Sequence, residues 1–178
     1  MHEELEKLVG GDRRSIGRVD EVVADVMHDP ALFGVVFDGM LSGDSLLRMR
    51  CADAAEKITE KQPGVLQPHK EKLIKEVAKI EQPEVRWHVA QMIPRLEVDR
   101  EERAALYELL LGFLYDVSSR VKACSMQALV DLAEKDVSLL PQTMLLMEAL
   151  TKTGSPAMQN KGRILRWKLQ VISLHSRR

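Results

Sequence analysis

Aromatic side chains are scarce in this chain, with three Phe, two Tyr and two Trp among 178 residues, so any core must be built mainly from aliphatic groups. Two cysteines, Cys51 and Cys124, are too few and too far apart for a disulfide scaffold, and each sits in an apolar helical pattern that predicts a buried reduced thiol. Ten Gly and seven Pro leave little room for flexible linkers. Apolar stretches such as Leu109 to Leu111 fall far short of the roughly 20 residues that a membrane helix needs. Residues 1–8 are acidic and lack the basic and apolar regions of a secretory signal, so a cytoplasmic setting is expected. No run of apolar residues alternates with period two, which excludes a β-rich fold. The length suits one domain.

What is present is helical periodicity. Val85, Val89, Met92, Ile93 and Leu96 form one stripe on a 3.6-residue helix, as do Leu47, Cys51, Ala54, Ala55 and Ile58. Val121, Ser125, Ala128, Leu129 and Leu132 form a third, with one polar member. Cap chemistry separates the stripes: Asp29-Pro30, Gln67-Pro68, Gln82-Pro83 and Ser155-Pro156 each place Pro where a first helical residue has no use for its N–H. Asp99 with Glu102 reads as a capping box, and Gly43-Asp44 and Ser118-Ser119 read as short breaks. These signals predict ten helices at about 3–9, 15–28, 30–41, 44–60, 68–81, 83–97, 100–116, 119–135, 138–152 and 155–175, with a kink near Ala90 imposed by Pro94.

The chain also repeats itself. A shift of 36 residues superposes 84–119 on 120–155 with seven identities, among them Val85 on Val121, Gln91 on Gln127, Leu96 on Leu132 and Leu110 on Leu146. A helical hairpin of this length cannot bury both apolar faces alone, so neighbouring copies must cover it. The segments Leu47-Arg48-Met49-Arg50-Cys51-Ala52, Glu84-Val85-Arg86-Trp87-His88-Val89-Ala90 and Arg120-Val121-Lys122-Ala123-Cys124-Ser125-Met126 resemble the V-R-x-x-A opening of HEAT and armadillo-like repeats. Over residues 15–175 this resemblance implies an all-α, right-handed α-solenoid of about five stacked helical hairpins. The corresponding division of 1–178 is an N-terminal cap helix in 1–14, repeats over 15–154 and a basic C-terminal cap helix in 155–178. Proteins of this kind serve as scaffolds, adaptors, lyase subunits and DNA-repair glycosylases, so the resemblance implies an architecture more than an activity.

Charge is unevenly placed. Residues 1–148 carry a net −8, whereas 149–178 hold seven basic residues and no acid. Lys161, Arg163, Arg166, Trp167 and Lys168 crowd the last helix, either as the hydrated face of a cap or as a docking surface for an anionic partner. On the helix at 83–97, Arg86, Trp87, His88 and Gln91 are placed away from the apolar stripe or on its flanks, with Trp87 either packed between repeats or meeting a partner. Gln91 and Gln127 are candidates for a polar ladder, and Lys122 stands where Arg86 does one repeat earlier.

Catalytic signals are weak. Gly43-Asp44-Ser45-Leu46 matches the letters of the GDSL esterases, but its Asp-x-x-His counterpart, Asp25 to His28, precedes the serine, and Asp44 is expected to be a helix N-cap. The five histidines show no His-x-x-x-His spacing and the two cysteines no Cys-x-x-Cys, so neither metal nor cofactor is expected. The turn Gly10-Gly11-Asp12-Arg13-Arg14 lacks the strand and lysine of a phosphate loop. The expected function is a non-catalytic scaffold or adaptor that binds a protein through its curved face and basic last helix. A nucleic-acid-binding module is the alternative, with an enzyme or lyase subunit third. Because Leu110 is expected in the core with Phe113, Leu129 and Leu146, Leu110→Ala should cost about 2–5 kcal/mol in urea unfolding. A mild effect would show that the register is wrong.

Overall fold

The computed structural model describes residues 2–12 and 14–175. Ten α-helices run through the described residues: α1 Glu3–Glu6, α2 Val19–His28, α3 Phe33–Gly39, α4 Ser45–Lys61, α5 Lys70–Lys75, α6 Pro83–Met92, α7 Arg100–Phe113, α8 Ser119–Lys135, α9 Leu140–Thr153 and α10 Pro156–His175. Five 3-10 turns intervene, and no strand occurs among the described residues. None of the described helices is long and apolar enough to cross a membrane.

Local chemistry sets most boundaries. Asp44 accepts from the Leu46 and Leu47 amides at the start of α4, Ser118 caps α8, and Asp99 with Glu102 closes the expected box on α7. Asp29 caps the 3-10 turn that leads into α3, and Ser155 Oγ accepts from the Met158 amide at the start of α10. Of the expected helices that come out shorter, three have a clear local cause. α6 ends at Met92 instead of kinking at Ala90: Pro94 has no N–H to donate, and the chain tightens into the turn Ile93–Arg95. The 68–81 segment breaks at Glu76 (φ −122°, ψ −60°), leaving α5 flanked by 3-10 turns. Residues 15–18 are not helical, because Gly17 sits at φ +64° and the loop there wraps a side chain from α4.

The chain, expected to form a single 1–178 domain, divides into two compact units, Met1–Glu97 and Val98–Arg178. In the first, α4 packs against α2, α3 and α6. Its small buried residues, Cys51, Ala52, Ala54 and Ala55, allow close approach from more than one side. A Cβ on Gly39 of α3 would overlap Cys51 Sγ, so this crossing requires glycine. Burial pushes the Cys51 thiol up to about 12. Arg95 ties the end of α6 back to α4, donating to the Glu56 carbonyl (2.6 Å), Thr59 Oγ1 (2.7 Å) and the Glu56 carboxylate (2.5 Å).

Arg50, on α4, is the largest fully buried side chain of this unit at 1% exposure. Its guanidinium meets no carboxylate among the described residues. Instead Nη1 donates to the carbonyls of Leu8 (2.6 Å) and Gly10 (2.5 Å), Nη2 to Asp12 (3.1 Å) and Nε to Ser15 (3.1 Å). The Gly10–Arg14 turn, considered above as a phosphate cradle, thus turns its carbonyls toward a cation; Arg13 lies outside the described residues.

In the second unit α10 packs against α9 and α8, α8 also against α7 and α9. Leu110, Phe113 and Leu129 are buried as expected, while Leu146 is half-buried at the edge. Tyr107 Oη and Thr143 Oγ1 meet at 2.8 Å between α7 and α9, and burial raises the Tyr107 hydroxyl above its ordinary range. A Cβ on Gly162 would overlap Thr151 Oγ1, so α10 and α9 touch there through a missing side chain. Cys124 is half-buried, less than its pattern predicts.

Arg50→Met should destabilise the protein by about 2–4 kcal/mol, since bonds to a charged donor contribute about 1.5–3 kcal/mol each and some freed carbonyls regain water. Amide exchange should accelerate over residues 8–18 before it does in α8, with Arg50→Lys intermediate. Unchanged exchange over 8–18 would show that the clasp is ornamental.

Candidate functional site

The Arg86 to Gln91 surface is mostly consumed by packing. His88 faces α4 and is only 6% exposed, with Nε2 3.8 Å from Asp53 Oδ1. It is not a surface residue as expected, because α6 turns that side toward α4. Arg86 Nε donates to the Ile80 carbonyl at 3.2 Å, and its Nη2 lies 3.7 Å from Glu81. Arg48 does the same one motif earlier: Nη1 donates to the Ser42 carbonyl at 2.7 Å, again six residues back. The arginine of the V-R motif therefore ties down the turn that precedes its helix. Trp87 is half-buried, its ring 5.5 Å from that of His88, and Gln91 is half-buried as well. Gln127 donates to Asp131 one turn on in its own helix (2.9 Å). Lys122 is half-buried in the first turn of α8.

The basic residues of α10 separate into two kinds. Lys168 Nζ lies 2.8 Å from both Asp131 and Glu134, so it clamps α10 to α8. Burial pulls its pKa down most strongly of any single influence, but the bonds to Asp131 and Glu134 together outweigh that and hold it above the ordinary lysine value. Glu148 is held below the usual carboxylate range by its bond to Lys152, with Arg166 adding to the effect. Lys161 and Arg163 have no acidic partner among the described residues. Arg177 and Arg178 of the basic block lie outside the described residues.

Around these cations the surface is unexpectedly apolar. Trp167 is 68% exposed, Leu174 66%, Ile164 59% and, on α9, Leu145 69%. A groove of about 390 Å³ runs between α9 and α10, walled by Pro141, Met144, Leu145 and Glu148 on one side and Arg166, Leu169 and Gln170 on the other. Sequence reasoning found Trp167 and Arg166 but missed Ile164, Leu174 and Leu145. The signal was present in the spacing of 164, 167, 171 and 174, but a second apolar stripe on the same helix, Leu165 and Leu169, is enough to seat α10 on its neighbours.

The tetrapeptide at Gly43 has a structural use. Asp44 caps α4, the Ser45 carbonyl accepts from Gln82 Nε2 at 2.9 Å, and Asp25 is engaged by Lys7 at 2.7 Å. Among the described residues no three His, Cys, Asp or Glu side chains gather as a metal site.

Comparison with protein-family models, with curated proteins and with solved structures finds no match.

Lys168→Gln should lower stability at pH 7 by about 0.5–1 kcal/mol, the scale of a part-exposed ion-pair network. Because the folded-state pKa is raised, this contribution is complete below the ordinary lysine pKa of about 10.4 and disappears as pH rises through the raised value. Urea midpoints of the two proteins should converge in strongly alkaline solution; a constant gap would refute the clamp.

Proposed function

We propose that this chain is a non-catalytic helical-repeat module of HEAT/armadillo-like character that binds another protein, with the α9–α10 pair as its docking surface. The observation that carries the reading is the concentration of exposed large apolar side chains on that pair, Leu145, Ile164, Trp167 and Leu174, beside an open groove. Soluble proteins rarely leave such patches uncovered unless something docks there, and Trp and Arg are the residue types that anchor protein interfaces. The groove's two ionisable residues, Glu148 and Arg166, interact with one another, which favours a docking role over a reaction centre.

A repeat architecture, a right-handed stack of hairpins, is supported by the 36-residue self-similarity and by the shared arginine contact six residues back from Arg48 and Arg86. A cytoplasmic setting is supported by Cys51 and Cys124 being thiols.

The alternative, a nucleic-acid partner, draws on exposed Trp167 beside Lys161 and Arg163. With Lys168 engaged by two carboxylates and Arg166 beside Glu148, about two phosphates would be neutralised, which gives a salt slope near −2 and weak binding.

A photo-crosslinking side chain at Leu145 or Trp167 should capture a protein in native extract, and one at exposed Glu101 of α7 should not. Adducts to nucleic acid, or equal capture from all three positions, would overturn the proposal.

A further inference from the structure

α10 is apolar on two opposite faces. One carries Met158, Gly162, Leu165 and Leu169, all buried where the helix packs on α8 and α9. The other carries Ile164, Trp167 and Leu174, with half-buried Val171 among them. At 100° per residue the mean directions of the two faces differ by about 170°. The successive spacings of the second face are three, four and three, the a/d pattern along which one helix accepts the knobs of another. It extends about 15 Å from Ile164 to Leu174, enough for three turns of a partner helix. An extended peptide gains nothing from that spacing, whereas a helix matches it side chain for side chain.

Charge selects among helices. Lys161 and Arg163 fall on opposite flanks of Ile164, and neither meets an acid among the described residues. α10 itself contains no acidic residue, so a second copy of it would oppose cations with cations in either orientation, and the carboxylate beside Val171, Glu134, is already held by Lys168. We propose that α10 docks an acidic amphipathic helix of a partner protein, with its apolar stripe along Ile164, Trp167, Val171 and Leu174 and its carboxylates on Lys161 and Arg163. Trp167 is the anchor of the contact, being the largest of the four side chains and the most exposed. Lys168 is left to hold α10 on α8, so the docking face stays rigid while the two unpaired cations choose the partner. This inference rests on the protein-binding reading above and adds the chemistry of the partner.

Calorimetric titration of the full chain tests it with two synthetic helices of about 21 residues, both with Leu at a and d, one with Glu and one with Lys at e and g. The Glu helix should bind on the order of tenfold tighter than the Lys helix. Ile164→Asp with Leu174→Asp should weaken it by roughly tenfold or more at an unchanged melting temperature, and Lys161→Glu with Arg163→Glu should reverse the preference. Equal binding of both helices, indifference to the Asp pair, or self-association of the chain that the Asp pair dissolves would each overturn the proposal. So would binding of duplex DNA or RNA that depends on Ile164 and Leu174. If crosslinks from positions 145 and 167 reach a protein while both peptides fail, the acidic helix falls and protein binding stands; failure of both experiments removes the two together.

Discussion

A positive charge with no carboxylate beside it fixes the N-terminal half of this protein. Arg50 reaches from the middle of α4 into a loop that would otherwise have no reason to adopt one shape, and four backbone carbonyls converge on its guanidinium. Burying a cation is costly unless its hydrogen-bonding capacity is met, and burying peptide carbonyls is costly for the same reason, so each half of the arrangement offsets the other. The glycines follow from it. A Cβ on Gly11 or Gly17 would lie about 3.2–3.3 Å from the guanidinium, and both residues take the positive φ that lets the carbonyls turn inward. With the loop held, α1 is placed against α3 and α2 against α4, and α4 in turn supplies the surface on which α3 and α6 pack.

The second unit relies on aliphatic packing and shape complementarity. α10 fits onto α9 through Gly162 and Thr151, onto α8 through Lys168 and its two carboxylates, and into the interior through Leu165 and Leu169. A helix seated this firmly has no need of a second apolar face for its own stability. The second face, at regular spacing and with cations on its flanks, is therefore what the docking proposal rests on.

Features that depend on a few adjacent residues were legible in the sequence: the caps at Asp44 and Asp99, the break at Ser118, the three apolar stripes, and the absence of strands among the described residues. Features that depend on distant partners were not. Residues 15–18 read as the start of a helix because the side chain that holds them open comes from 35 residues away. His88 read as a flank because periodicity locates the centre of an apolar stripe and is silent on how widely the neighbouring helix, here α4, covers its edges. Lys168 read as part of a charged surface because its acids, Asp131 and Glu134, belong to another helix. The candidate site was half visible for a related reason: charge is conspicuous in a sequence, while an exposed apolar stripe looks the same as a buried one.

The division at residues 97 and 98 distributes the natural optical and chemical probes evenly. Trp87 and Cys51 fall in the first unit, Trp167 and Cys124 in the second. Cys51 is fully enclosed and stays protonated throughout the physiological range, so a thiol reagent reaches it only when the first unit opens. Trp167 is already in water and reports on what covers it, whereas the half-buried indole of Trp87 responds to loosening around α6. One unmodified chain thus carries a gauge of breathing in one half and a solvent-facing fluorophore in the other.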